Sequence, residues 1–405
     1  MDQAFLAAAH DYRGRLAATA DGNAFRELWR TTNLAYAMEA HDPYSPEYRN
    51  EVLAMFQALT AQAYDTGLEM TSTKQGGADF QLGYPWVSRN PAVIATELAK
   101  TVQAFQALQA APPPAPVVEF GAGWGNLSVP LAQAGYDVTT VDLDSGFNTR
   151  LRRLASERGV ALQVFEGTFM QAVEQLPGPY AAVVFQSSFH HCLDFDAMLG
   201  AIAGGMLAPD GSIFFLSEPV YDSLGFPWGL RYDGEALWAI MCNGWLELGF
   251  SEDFFTSLLL RHGLLPTRVA GVPGHVGPGW RAQRAQVGAR LAELVLPARY
   301  DAGFHAAADV GWGRFCRASA VLPGMGRPSC TLALRNFGPI PLCLTLRSGT
   351  SIELLTVQPH EARQVAAPLH ADDLHITSEI WVPNAVIGNG DERELGVAVI
   401  DIRWD

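Results

Sequence analysis

The chain has 405 residues, of which 49% are hydrophobic and 17% charged, and 27 basic against 42 acidic residues leave a formal net charge of -15. That length supports two or three domains with a substantial core, and the composition is that of a compact soluble enzyme, not of a disordered or fibrous chain. The acidic balance, without any basic run or stripe, speaks against nucleic acid or an anionic membrane surface as partner, because phosphate contacts need clustered Lys and Arg.

No apolar segment approaches the length of a membrane span. Ala4 to Ala9 is short and follows Asp2, which does not make a signal peptide. Cys192, Cys242, Cys316, Cys330 and Cys343 are odd in number and lack Cys-x-x-Cys spacing. A reduced, cytoplasmic protein without structural zinc is expected.

In chain order, the first hundred residues read as helical. Asp21 to Glu39 carries Phe25, Leu28, Trp29 and Leu34 near one face, and Tyr44-Ser45-Pro46-Glu47 opens a second helix running towards Tyr64. Thr71 to Arg89, with Gly76, Gly77, Tyr84, Pro85 and Trp86, reads as a loop. Asn90-Pro91 then starts a helix through about Gln109, and Pro112, Pro113, Pro114 and Pro116 form a stiff spacer.

From Val117 strands and helices alternate. Strands are expected at Val117–Phe120, Val138–Asp142, Leu162–Phe165, Ala181–Phe185 and Ser212–Leu216. Helices are expected between them at Leu127–Ala134, Phe147–Glu157, Phe169–Gln175 and Phe195–Leu207, with a further one at Phe254–His262. Alternation at this spacing implies a Rossmann-like, doubly wound parallel sheet covered on both faces. After about Pro323, short strands at Thr331–Leu334, Leu342–Leu346, Ile352–Leu355, Asp373–Ile376 and Val397–Ile402 suggest a small antiparallel β-sandwich. The expected division is a helical region over 1–110, an α/β domain over 111–323 with an aromatic insertion near 219–250, and a β-domain over 324–405.

The sharpest signal is Val117-Val118-Glu119-Phe120-Gly121-Ala122-Gly123-Trp124-Gly125-Asn126. A buried strand ends in a carboxylate, and glycines at alternate positions make a tight turn into a helix. Missing side chains there let the backbone approach a nucleotide closely. A dinucleotide turn wants Gly-x-Gly-x-x-Gly; here the third of those positions is Asn126, and the extra glycine arrives early at Gly125. No Lys or Arg occurs from Thr101 to Thr149 to meet a phosphate.

This acid-x-Gly-x-Gly-x-Gly pattern, with Asp142 closing the next strand, resembles the first motifs of class I S-adenosylmethionine-dependent methyltransferases, over about Pro91 to Pro266. The resemblance implies S-adenosylmethionine as cofactor. Glu119, Gly121, Gly123 and Gly125 would form its turn. Asp142, a strand-end acid of the kind that accepts ribose hydroxyls in dinucleotide folds, would take the same role, with Asp144 as rival. In relatives an aspartate standing where Thr168 lies pairs with adenine; its absence leaves adenine to the Thr168 backbone and the Phe169 ring, unless Phe169 is core.

The resemblance also places Gln186-Ser187-Ser188-Phe189-His190-His191-Cys192-Leu193-Asp194 beside the sulfonium, with Gln186 on the cofactor. An alcohol must lose its proton to accept a methyl group, and imidazole titrates near working pH. Adjacent residues of an extended segment point to opposite sides. One histidine, His191 before His190, is therefore expected as base and the other as structural. Glu218, at the end of the fifth strand, can orient a histidine, act as base, or hold a cation with Asp194. Two carboxylates are too few for the metal sites of such enzymes, and no metal is expected.

In the insertion, Gly225 to Glu235 with Trp238 and Trp245, the tryptophans suit a core, while Arg231 and Tyr232 suit an acceptor pocket. By the family's layout, Tyr84 and Trp86, with Arg89, would close from the other side. The ending Trp381-Val382-Pro383 and Gly390-Asp391-Glu392-Arg393-Glu394-Leu395-Gly396-Val397 resembles endings of bacterial proteins that assemble surface polysaccharides. The expected activity is O-methylation of a saccharide, nucleotide-sugar or small polar metabolite. An NAD-dependent nucleotide-sugar oxidoreductase and a saccharide-binding scaffold that retains the cofactor fold are the alternatives, and the sequence leaves oligomeric state open.

Overall fold

A computed structural model describes residues 3–19, 22–39, 41–70, 80, 82–284, 295–306, 313–370 and 372–405. The expected Gly76-Gly77 loop centre lies outside them. Chain contacts divide the protein into two units, Met1–Phe255 with Val269–Trp280, and Thr256–Arg268 with Arg281–Asp405.

The first unit is built on five parallel strands: β1 (Pro116–Phe120), β2 (Asp137–Asp142), β3 (Gln163–Glu166), β4 (Tyr180–Gln186) and β5 (Leu207–Leu216). They stand in the order β3-β2-β1-β4-β5 within a seven-stranded sheet, which Leu264–Val269 and Gly279–Arg284 complete; Val269 and Gly279–Trp280 of those two strands lie in this unit. Val117, Val118 and Phe120 are wholly buried, as a central parallel strand covered on both faces requires. Helices Ser128–Gln133, Ser145–Arg158, Phe169–Gln175 and Phe195–Ala201 connect the strands. Asp144 caps the second of these by accepting from Gly146 N–H at 2.9 Å, and Gly159 ends it in the left-handed conformation. The Rossmann-like expectation is borne out. The helix expected to reach Leu207 leaves α geometry at Ala201 and widens into a π-turn over Ile202–Met206, where Gly204 and Gly205 weaken it. β5 consequently starts before Ser212.

Around this core lie helices Gln3–Ala18, Gly22–Thr31, Pro46–Thr60 and Pro91–Ala107. The helix expected to span Asp21–Glu39 stops at Thr31 because the chain then pairs elsewhere, with Leu34 N–H donating to Tyr232 C=O at 2.9 Å and Asn33 bridging Asp233. The aromatic insertion forms a three-stranded sheet of β6 (Val220–Tyr221), β7 (Trp228–Leu230) and β8 (Leu248–Ser251), in the order β6-β8-β7. The N-terminal helices bond directly to it. Tyr48 O–H donates to Trp228 C=O at 2.6 Å, and Tyr12 O–H to Gly234 C=O at 2.7 Å. Helical region and insertion thus pack directly against one another.

The second unit carries two four-stranded antiparallel sheets. One orders Arg314–Phe315, Ala398–Trp404, Ser329–Arg335 and Ala362–Pro368; the other orders Ser319–Leu322, Leu374–Ser378, Leu342–Ser348 and Ser351–Val357. Alternate residues point inward, Cys330, Leu332 and Leu334 from one sheet and Leu342, Leu344 and Leu346 from the other, into a common apolar core. The strand Ala362–Pro368 had no apolar alternation to betray it. Among the described residues no helix is long and apolar enough to cross a membrane, and all five cysteines are free thiols.

Candidate active site

The sheet order reverses between β1 and β4, which opens a crevice beyond the strands' carboxyl ends. A cavity of about 580 Å³ occupies it, entirely within the first unit. Its floor is the glycine turn. Gly121, Gly123 and Gly125 have φ of +72°, +46° and +77°, a region costly for any residue with a Cβ. At Gly121 a Cβ would also come within 2.5 Å of Ser188 Cβ. Ser188 is fixed there by donating its hydroxyl to Phe120 C=O at 2.7 Å.

Asp142, at the tip of β2, accepts from Gly123 N–H at 2.9 Å and from Asp144 N–H at 2.9 Å. Burial pushes its carboxyl up to about 6, although those two amides favour the charged form. Asp144 is committed as a helix cap. Glu119 lies behind the turn, outside the cavity lining, and accepts from the Ser128 hydroxyl. Burial pushes it up to about 8, against the pull of that hydrogen bond.

Leu143, Thr168, Phe169 and Met170 line one side of the cavity. The Phe169 ring meets Phe120 edge-on at 5.4 Å. Thr168 closes a capping box, its N–H donating to Gln171 Oε1 at 2.9 Å and its hydroxyl accepting from Gln171 N–H at 3.2 Å. The Thr168 amide is therefore already used, and the Phe169 ring with its apolar neighbours is the surface a base would meet. Gln186 ends β4 outside the lining, its Oε1 buried without a hydrogen-bond partner.

The two histidines sit on one short 3-10 turn, Phe189–His191, so strand alternation does not apply; their rings lie side by side at 4.3 Å between centroids, and only His191 lines the cavity. His190 is buried away from the cavity. Its Nδ1 contacts Glu218 Oε2 at 2.7 Å, and Glu218 also accepts the amides of Ser188, Phe189 and His190 at 2.7, 3.0 and 3.2 Å. Burial would push Glu218 up, but the His190 ring and those amides hold its carboxyl below the usual range. Glu218 is the clasp of the turn.

His191 faces the cavity, with Trp245 at 6.4 Å between ring centroids. Its Nδ1 lies 3.1 Å from Glu69 Oε2, in ion-pair contact with that carboxylate. Burial alone would lower its pKa, yet Glu69, then Glu247 and Glu218, push it up to about 9.

Arg231 and Tyr232 do not reach the lining. Arg231 is held by Glu247 at 3.1 Å and Asp233 at 3.5 Å, and Tyr232 is buried against Phe5 and Tyr36. Tyr84 and Trp86 also lie outside it; the Tyr84 carbonyl accepts from Asn126 Nδ2 at 3.1 Å, and Trp86 is exposed. Of the insertion's tryptophans, Trp228 is buried while Trp245 lines the cavity. Ligand-capable atoms of His190, His191 and Glu247 gather within 4.8 Å of one another. Arg231 already neutralises Glu247 there. Asp194, at the rim, pairs with Arg49 at 2.7 Å.

Arg49, Tyr64 and Glu69 also line the cavity, and sequence reasoning had missed all three. They come from the N-terminal region, Arg49 from the helix Pro46–Thr60, Glu69 from a short 3-10 turn and Tyr64 from the segment between, and no local motif marks them.

Residues 117–211 match the family described as "Methyltransferase domain". Fold, glycine turn and match together define the class: this segment is the donor-binding domain of an S-adenosylmethionine-dependent methyltransferase, as expected. Among solved structures, the chain is similar to magnesium protoporphyrin IX methyltransferase (ChlM) from Synechocystis PCC 6803 with bound SAM, at 18% identity, covering 56% of this chain and 99% of that one, with a TM-score of 0.37. Mitomycin 7-O-methyltransferase MmcR is similar at 21% identity, covering 66% and 85%, with a TM-score of 0.36. The O-methyltransferase NcsB1 from neocarzinostatin biosynthesis is similar at 20%, covering 50% and 60%, with a TM-score of 0.35. No curated protein matches the chain.

Proposed function

We propose that the protein methylates a hydroxyl group of a saccharide, nucleotide-sugar or small polar metabolite, with His191 accepting the proton. The observation that carries this reading is that one cavity brings the glycine turn, Asp142 and Phe169 together with the His191 ring. The donor fits the residues present. Gly121 and Gly123 leave the turn bare, and Asp142 keeps lone pairs for two ribose hydroxyls beyond the amides it accepts. Phe169 offers an aromatic face. The acids Asp65, Glu69, Asp142, Asp144 and Asp194 outnumber Arg49 among the lining residues, a field that suits a cationic sulfonium.

When bound, S-adenosylmethionine supplies a methyl group that passes to the acceptor oxygen while the C–S bonding pair stays on sulfur. The chain's own work is alignment and proton removal. Ser188 and Glu218 fix the turn that aims His191. Tyr64 and Trp245 wall the acceptor side and exclude water. His191 takes the hydroxyl proton once its ring is neutral, a state the positive charge of the bound donor favours by opposing a second cation nearby.

The same reading keeps the division at residues 110 and 323 and places the protein in the cytoplasm, in the assembly of a surface polysaccharide. Support for that setting is the resemblance of the ending from Trp381 to Val397 to those of bacterial proteins that assemble surface polysaccharides. Single-turnover assays with methyl-labelled donor against neutral sugars, nucleotide-sugars and oligosaccharides test the proposal. His191→Ala is expected to lower turnover by about 100-fold or more with donor affinity retained, and full activity in both His190→Ala and His191→Ala would remove imidazole as the base.

A further inference from the structure

Glu69 lies far from the histidine turn in sequence, in a short 3-10 helix, Thr66–Glu69, of the N-terminal region. Its side chain is nearly buried and divides its two oxygens between two tasks. Oε1 accepts from the Tyr64 hydroxyl at 3.0 Å and from Leu246 N–H at 2.8 Å. Oε2 stands 3.1 Å from His191 Nδ1. The carboxylate is thus pinned from both sides of the cavity wall and presents its second oxygen to the ring. Among the described residues, His191 Nε2 has neither hydrogen bond nor ion pair, which leaves it as the nitrogen available to an acceptor.

We infer that Glu69 is the positioning residue of the transfer reaction: it holds His191 with the proton on Nδ1, so that Nε2 carries the lone pair that receives the acceptor's hydroxyl proton. The inference rests on the reading of His191 as the base. A neutral imidazole exists as two tautomers, and only the one protonated on Nδ1 is a base at Nε2. A carboxylate fixed beside Nδ1 selects that tautomer and stabilises the imidazolium formed when the hydroxyl proton arrives, without itself taking the proton. The proton account closes: it leaves the acceptor oxygen, resides on Nε2, and passes to solvent after product leaves.

The neighbours divide the labour. Glu218 is saturated by three amides and His190, and Glu247 is shared between Arg231 at 3.1 Å and His190 Nε2 at 3.7 Å. Asp142 is engaged by Gly123 and Asp144. Of the charged groups around His191, Glu69 alone among the described residues directs an oxygen to within 3.1 Å of its ring.

The decisive experiment compares Glu69→Gln, Glu69→Asp and Tyr64→Phe in the full chain. Glu69→Gln keeps an oxygen for Tyr64 and Leu246 but removes the charge beside Nδ1. Its expected signature is a drop in the His191 titration midpoint from about 9, followed by NMR of the ring. Donor affinity measured with S-adenosylhomocysteine stays unchanged, and kcat falls about tenfold to a hundredfold with little change in KM. Glu69→Asp recovers part of both effects. Tyr64→Phe removes a scaffold bond and leaves the titration in place. An unmoved His191 midpoint in Glu69→Gln overturns the inference whether or not an acceptor is in hand. Full turnover in Glu69→Gln beside an inactive His191→Ala overturns it while the proposed reaction stands, whereas an active His191→Ala overturns the reaction's base itself.

Discussion

Replacing Asp142 with asparagine changes one oxygen to an amide and removes a buried charge. Both carboxylate oxygens now accept a backbone amide, Gly123 N–H on one and Asp144 N–H on the other, each at 2.9 Å. An asparagine must set its own NH₂ against one of those donors, leaving an N–H without an acceptor in the floor of the cavity. A hydrogen bond to a charged group contributes about 1.5–3 kcal/mol, and the ribose hydroxyls lose the same charged acceptor. Since about 1.4 kcal/mol is tenfold in affinity, Asp142→Asn is expected to weaken S-adenosylhomocysteine binding by roughly 10- to 150-fold. Isothermal calorimetry on wild type and variant reads this directly, with circular dichroism to confirm an intact fold. The carboxyl is pushed up to about 6 by burial, so wild-type affinity should also decline as pH falls through that value and the charge is lost, while the variant's stays flat. A folded variant with wild-type affinity, or a wild type indifferent to acid, would refute the assignment of Asp142 to the donor.

Two other substitutions probe the same turn. Glu119 has a folded pKa of about 8, raised above its ordinary 4.5. From 4.5 up to 8 the folded chain therefore holds a proton that the unfolded chain has released, and stability falls as pH rises across that window. Glu119→Gln should match wild type in thermal midpoint near pH 4 and exceed it near pH 9; equal midpoints at both would contradict the raised pKa. Gly125→Ala places a Cβ at φ +77°, 2.6 Å from Leu151 Cδ2. Left-handed strain of about 1–2 kcal/mol, with some repacking of Leu151, should lower the midpoint by roughly 2–8 °C, and an unchanged melt would show that the turn relaxes freely.

The sheet was legible because parallel strands are buried on both faces and read as continuous apolar runs, as Val117–Phe120 and Ala181–Phe185 did. Local chemistry was legible too: Gly121, Gly123 and Asp142 line one cavity, and of the adjacent His190–His191 pair only His191 joins them there, although their turn is 3-10 and not the extended segment expected. What stayed hidden was decided by contacts distant in sequence. Arg231 reads as a pocket cation until Glu247 and Asp233 are seen to hold it. Tyr232 reads as a pocket residue until Phe5 and Tyr36 are seen to cover it. Glu69 carried no local signal at all, since its meaning comes wholly from the ring it meets across the cavity. The Gly22–Thr31 helix ended early for the same reason, tertiary pairing overriding periodicity.

A crystal grown with S-adenosylhomocysteine tests the central claim most directly. Density for the ligand should lie in the cavity, with its ribose hydroxyls on Asp142, adenine against Phe169, the homocysteine portion over Gly121 and Gly123, and the sulfur turned towards His191. A ligand bound elsewhere, or one whose sulfur faces away from that ring, would contradict the account.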